Sequence, residues 1–489
     1  MKKWDVFELE IMGKTVGNPF TDYEIFGEFI GGEEKKIVSG FYDGNGRYKI
    51  RFMPSFEGIY TYRIFGTFSE RIHNGRFEVT APGCHGKVRA HGMDLIYEDG
   101  TPYVSIGTTC YVWTTQREEI RKQTLDTLKS SAFNKIRFCI FPKHYDYNYR
   151  DPYAFPYEGI PVDNSGINKF TFDEYSALHE NRHIKENKWD FSKFNIEYFK
   201  NLDKDLQELC DLGIEADIIL FHPYDRWGFC NMPEWADELY LKYVTARYSA
   251  YHNVWWSLSN EYDLNPYRRI ADWEKYAKII MENDPYGHLR SIHNCMTFYD
   301  YTKPWVTHCS IQRQHGSQEL ECIPQWREIY RKPIVIDEMC YEGNIEQHWG
   351  NISPELMLQR MWKTAVYGGY PGHGECYDME NVWWSHGGIL YGESYKRFGF
   401  LMDIMKKFKG SMIPTERLCA RSKDNNVRIW YGAEHRPNYQ IIDLGQEEWN
   451  IYVLDTWEMT IEERGVKTGI CKIELPVKEG MAILIEKEN

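Results

Sequence analysis

Long apolar runs are missing from this chain. Across its 489 residues no stretch approaches the roughly 18 consecutive apolar residues that a membrane-crossing helix requires, so none is expected. No apolar segment follows Met1-Lys2-Lys3-Trp4-Asp5 either. A signal peptide is therefore not read there, and a cytoplasmic location is expected. Paired cysteines are also missing: the 12 cysteines are scattered singly, with no Cys-x-x-Cys, the pattern of reduced and mostly buried thiols. Positive charge is in short supply, with 58 Lys and Arg against 72 Asp and Glu and a formal net charge of −14. That balance speaks against nucleic acid or an anionic membrane as partner, since both need a basic face. The sequence has no Gly-rich phosphate loop, no Gly-x-Ser-x-Gly elbow, no dinucleotide fingerprint and no His-Glu-x-x-His. His144, Asp146 and His348 lack helical ligand spacing, so neither a metal nor a cofactor is expected.

Aromatic residues, by contrast, are abundant: 16% of the chain, with 17 Trp and 36 Tyr. Flat rings at this density are most often used to stack on sugar faces. With 42% hydrophobic and 27% charged residues, a sizeable core is expected and disorder is excluded as the main state. Residues 1–82 are short alternating runs broken by turns such as Asp43-Gly-Asn-Gly46, which predicts a small β-sandwich ending at Pro82-Gly83. From 83 to 410 the pattern changes to apolar strand-like runs alternating with amphipathic helical stretches. Alternation returns over 411–489, which predicts a second β domain.

The apolar runs of the middle part are Tyr103–Thr108, Lys135–Phe141, Glu215–Phe221, Val254–Ser259, Leu289–His293, Val306–Ile311, Ile334–Ile336 and Gly368–Gly372. Eight such runs with helices between them predict a (β/α)8 TIM barrel in an α/β protein flanked by two β-sandwich domains. The long polar segment 142–195 reads as an insertion on a barrel loop. In a barrel of this kind the active site lies at the carboxyl ends of the strands. The fourth run ends abruptly in Asn260-Glu261, and the seventh ends in Asp337-Glu338. Strands four and seven sit roughly opposite in a closed ring, so two carboxylates face each other across a cleft. That is the arrangement glycosidic hydrolysis uses: one group protonates the leaving oxygen and the other attacks or activates water.

The Asn260-Glu261 pair and the later Ile336-Asp337-Glu338 resemble the strand-four and strand-seven motifs of clan A glycoside hydrolases, retaining enzymes on (β/α)8 barrels. The resemblance extends over most of 90–410, and the flanking layout resembles a bacterial group of that clan with a β-sandwich before the barrel and a small β domain after it. It implies Glu261 as acid/base and Glu338 as nucleophile. It also implies that Arg137, within strand two, lies near the nucleophile and holds its pKa down. Asn260 would donate to the sugar 2-hydroxyl. His222, ending strand three, and Trp227 shortly after it are candidates for substrate contact. His315 follows strand six, where clan members more often carry a Tyr or His. His373 and Glu375 end strand eight, where many relatives carry a Trp that floors the sugar site. Trp384 is the candidate to replace that Trp, and Trp113, His144 and Tyr341 complete the candidate substrate contacts. For each aromatic the competing reading is a packed loop residue.

These observations lead to a cytoplasmic exo-glycosidase acting on imported oligosaccharides or glycosides, with a carbohydrate as its partner; association with a second copy of the chain is left open. A non-catalytic carbohydrate-binding barrel is the alternative. A metal-dependent lyase or isomerase would call for several carboxylates or histidines on neighbouring strand ends rather than one opposed pair.

Overall fold

The computed structural model describes residues 1–145, 147, 152–166, 168, 184–315 and 319–487. At its centre eight parallel strands run in chain order: β1 (Gly107–Thr109), β2 (Lys135–Cys139), β3 (Glu215–Phe221), β4 (Val254–Ser259), β5 (Arg290–Ser291), β6 (Cys309–Gln312), β7 (Ile334–Glu338) and β8 (Tyr370–His373). Hydrogen bonding orders them β5-β4-β3-β2-β1-β8-β7-β6. The parallel bridge His293–Ser310 joins the two ends and completes the ring. Every residue of β2, β3, β4 and β7 is buried, as a parallel sheet covered on both faces requires.

Helices α1 (Glu118–Lys129), α2 (Ile196–Asp211), α3 (Glu234–Tyr248), α4 (Ile270–Asn283), α5 (Ile323–Tyr330), α6 (Pro354–Val366) and α7 (Phe398–Lys407) surround the ring. In α2 the buried set Tyr198, Phe199, Leu202, Leu206 and Leu209 recurs at three- and four-residue steps, giving one apolar stripe toward the strands. The ends of the predicted strands move where side chains replace the ladder. Of the run Tyr103–Thr108 only the end pairs, because the Asn134 side chain bonds the Ile106 N–H and the Val104 carbonyl. The 142–195 insertion contributes an antiparallel ribbon, Tyr157–Ile160 with Lys188–Phe194. Much of the remainder of that segment, Asp146 included, lies outside the described residues.

A hairpin, Val88–His91 with Asp94–Tyr97, closes the amino-terminal end of the ring. Its Val88 and Leu95 pack with Tyr103, Trp255, Leu289, Val335 and Tyr370 in one apolar cluster. Before the hairpin, two antiparallel sheets of three and four strands enclose Phe29, Ile50, Phe52 and Tyr60. After the ring, a six-stranded antiparallel sheet and a two-stranded one enclose Trp449, Ile451 and Ile483. The first unit docks on the ring through buried ion pairs: Arg51 to Asp203 of α2 at 2.8 Å, and Asp43 to Arg247 of α3 at 2.9 Å. The last unit docks through Lys363 of α6, 2.8 Å from Glu434. Among the described residues no helix is long and apolar enough to cross a membrane.

Candidate active site

A cavity of about 280 Å³ opens at the carboxyl ends of the strands, and Glu261 and Glu338 both line it. An unusual backbone turn lies at the first and just beyond the second. Glu261 follows the last residues of β4 in the left-handed region (φ 42°), and Cys340, two residues beyond Glu338, also has a positive φ of 68°. A non-glycine residue held there costs on the order of 1–3 kcal/mol, so neighbouring bonds must fix it. At β4 they do: Asn260 N–H donates to Phe221 O of β3, and Tyr262 N–H donates to the His293 carbonyl just past β5.

The two carboxyls live in opposite surroundings. Donors among the described residues converge on Glu338 Oε1: Arg137 Nη1 at 2.9 Å, the Tyr111 hydroxyl, and His293 Nε2 at 3.3 Å. Burial alone would raise this carboxyl; His293, then Arg137 and Tyr111, more than reverse it and hold the group well below the usual carboxylate range. Glu261 is raised instead, first by burial and then by the negative charge of Glu338. Lys143, the Tyr224 hydroxyl and His293 act the other way without prevailing. Asn260 links the pair. Its Oδ1 accepts from Arg137 Nη2 at 2.7 Å, and its Nδ2 donates to Glu261 Oε2 at 3.3 Å. Burial and charge thus shift two carboxyls of one cavity in opposite directions, Glu338 down and Glu261 up.

The other sequence candidates divide. Tyr341 and Trp384 line the cavity, with Trp384 edge-on to Tyr111 at 5.3 Å between centroids. Arg137 and Asn260 lie behind it, bonded to the glutamates rather than lining it. Asn260 bonds Glu261 directly and meets Glu338 only through Arg137 and Tyr111. His315 lines an adjoining hollow of about 470 Å³ that shares Cys295, Gln312, Gln314 and His348 with the first.

Six of the sequence candidates for substrate contact lie off this cavity. Trp113 is fully buried, edge-on to Phe138 at 5.7 Å. Trp227 is buried against Phe155 and the His144 ring, which places both Trp227 and His144 in packing rather than on the cavity. His222 is buried with Nε2 3.3 Å from the Phe141 carbonyl, and burial pushes its pKa down to about 3. His373 stacks on Phe133 at 5.0 Å. Glu375 accepts the Tyr391 and Gly392 N–H groups at 2.6 and 2.9 Å, and burial pushes its pKa up to about 8. In each case the residue follows a strand, but its side chain turns into the helix layer or a loop anchor. Every described residue lining the cavity falls between 111 and 384.

One group has the composition of a metal site: Glu342, His373 and Glu375 bring ligand atoms within 4.8 Å of one another. The Glu342 oxygens, however, accept four donors, from Tyr377, Glu393 N–H, Ser394 N–H and the Ser394 hydroxyl. With the two Glu375 bonds added, the cluster reads as an anchor for loop 391–394 rather than as a set of open ligands.

Sequence reasoning passed over Lys143, Tyr111, Tyr224 and His293. All four follow the strand-like runs by a few residues or end one, so the strand-end rule would have reached them. Lys143 stands out, buried in the cavity wall with its Nζ 3.5 Å from the Tyr111 ring centroid, 4.5 Å from Tyr224, 4.6 Å from Trp384 and 5.1 Å from Tyr145.

With this geometry in place, comparison with known proteins is informative. A family model described as "Apiosidase-like, catalytic domain" matches residues 90–409. Two domains of unknown function, DUF5060 and DUF5605, match 1–66 and 416–486. No curated protein sequence matches. A solved "putative glycoside hydrolase" from Bacteroides vulgatus is 33% identical with a TM-score of 0.89, covering 100% of this chain and 99% of its own. A family 5 glycoside hydrolase from the same organism shares the fold at 15% identity and a TM-score of 0.58, covering 82% of this chain and 94% of its own.

Proposed function

The chain belongs to the apiosidase-like catalytic family and is a glycosidase; we propose that it works by double displacement with net retention, removing a terminal sugar from a small glycoside. The observation that carries this reading is a pair of glutamates lining one cavity, whose surroundings push one carboxyl pKa up and the other down. Glu338 attacks the anomeric carbon through Oε2, since the donors converge on Oε1. The bond to the leaving oxygen breaks as the Glu261 proton passes to that oxygen. Glu261 then takes a proton from water, the water oxygen attacks the same carbon from the vacated side, and Glu338 departs as carboxylate. Arg137 and Tyr111 keep Glu338 ionised and oriented for the attack, and they receive it again as carboxylate when it departs.

A cavity of about 280 Å³ is at the small end of ligand sites, which supports exo-action on a terminal unit. The family's name makes apiosides the first glycosides to assay. A division at 82 and 410, with the chemistry confined to the middle part, belongs to the same reading. So does a cytoplasmic location, which the twelve free cysteines support.

The test is hydrolysis of a panel of aryl glycosides, apiosides included, with proton NMR of the first anomer released. The expected product has the substrate's configuration, and Glu338→Gln is expected to be inactive on every substrate. Turnover by Glu338→Gln, or release of the inverted anomer, would overturn the assignment.

A further inference from the structure

The cavity holds a cation that the double-displacement scheme leaves unused. Lys143 enters from the segment just after β2 and is buried, its ammonium surrounded by four aromatic rings at 3.5–5.1 Å. The rings confine it on the same cavity wall as Glu261 and Glu338, and their faces favour its charged form.

We propose that Lys143 is the positioning residue that turns Glu261 from acid into base between the two half-reactions. The proposal rests on the assignment of Glu261 and Glu338 given above. In the free enzyme Glu261 faces two opposing charges, Glu338 and Lys143, with Tyr224 and His293 beside it. Lys143 in turn faces Glu261 and Glu338, with Cys139, Cys376 and His222 near it and Arg137 opposing it. When Glu338 becomes a neutral glycosyl ester, its charge disappears and the Lys143 ammonium remains. The balance at Glu261 then tips toward the carboxylate, the form that accepts the proton from water. Ester formation thereby changes the role of Glu261 without any atom of the wall having to move.

Burial also pushes the Lys143 pKa down, to about 8, against the pull of the two glutamates. As pH rises and the ammonium deprotonates, its help is withdrawn, so the second half-reaction should weaken on the alkaline side.

The test separates the half-reactions with a dinitrophenyl glycoside, whose leaving group needs no proton. kcat/KM then reports formation of the glycosyl-enzyme and kcat its breakdown. In Lys143→Met, kcat should fall by about 100-fold, the usual contribution of general base catalysis, while kcat/KM changes by less than about fivefold. A burst should appear, and the acid limb of kcat should move to higher pH by about a unit or more. Azide attacks without needing a base, so it should restore turnover in this variant. Lys143→Arg should recover most of kcat and carry its alkaline fall to higher pH, because a guanidinium does not deprotonate there.

The proposal is overturned if kcat and kcat/KM fall together, if azide does nothing for Lys143→Met, or if the arginine variant keeps the wild-type alkaline limb. Mass spectrometry of the glycosyl-enzyme trapped with a fluorosugar separates this from failure of the parent reading. An ester on Glu338 together with an indifferent Lys143 would sink only the inference. No ester on Glu338 would sink the assignment and the inference with it.

Discussion

The interior of the barrel holds two clusters of buried charge on the same strands, one pleat apart. In the lower one, Lys135 of β2 lies 2.8 Å from Asp217 of β3 and 2.5 Å from Asp337 of β7, with the Ser310 hydroxyl donating to Asp337 at 2.5 Å. In the upper one, Arg137 of β2 binds Glu338 and reaches Asn260. The ingredients are nearly the same, a cation on β2 and carboxylates on other strands of the ring. The lower cluster faces packed side chains, and Lys135 and Arg137 hold Asp337 ionised against the pull of burial. The upper cluster opens on a cavity and divides its two carboxyls into one raised and one lowered. Buried charge alone makes a strut; access and opposed pKa shifts mark a candidate site.

Removing the lower cation is the largest expected effect. Lys135→Met leaves two carboxylates facing each other in the dry interior, and urea unfolding should show a loss of about 3–5 kcal/mol. Activity per folded molecule should hold near wild type, and a stable but inactive variant would break the division between strut and site. The next test concerns Glu215, two residues before Asp217 on β3, buried and accepting from Trp255 Nε1 at 2.7 Å. Burial raises its pKa from 4.5 to about 8. The folded state keeps a proton that the unfolded chain gives up, so its contribution is whole below pH 4.5 and is lost as pH rises through about 8. Glu215→Gln should flatten that decline, gaining on the order of 3 kcal/mol on wild type between pH 5 and 9 in thermal unfolding. Parallel pH curves for the two proteins would show that Glu215 is ionised as packed. The smallest effect belongs to the upper cluster. Tyr111→Phe deletes one donor to Glu338 and leaves Arg137 in place, so kcat should fall about 10-fold with stability nearly unchanged. A change confined to stability would make Tyr111 part of the packing instead.

The barrel was legible because its strands are buried on both faces and so read as short apolar runs such as Val254–Ser259, bounded by polar stops. Where the ladder is replaced by a side chain, as at Asn134, no local pattern announces it. The glutamate pair was legible because each follows a buried run abruptly. Which way other strand-end side chains turn was not. Trp113, His222 and Glu375 sit at the expected ends of strands yet point into packing, since the path of each βα loop depends on helices far away in sequence. Lys143 was missed for the opposite reason. A lone lysine reads as surface charge, and only Tyr111, Tyr145, Tyr224 and Trp384, brought in from four separate segments, make it a buried cation.

Asp43 bears on the order in which the molecule can be made. It is buried in the first β unit, and its closest ion-pair partner, Arg247 at 2.9 Å, lies 204 residues later, with Lys49 at 3.5 Å the nearest cation of its own unit. At 5–20 residues per second that interval is about 10–40 s of synthesis. Until α3 emerges, the leading sandwich carries a carboxylate whose stronger counterion does not yet exist. The Arg51 guanidinium has Glu8 of its own unit at 2.8 Å and gains Asp203 of α2, also at 2.8 Å, only later. The amino-terminal unit thus leaves the ribosome before α2 and α3, and these ion pairs to the barrel close only once those helices have followed.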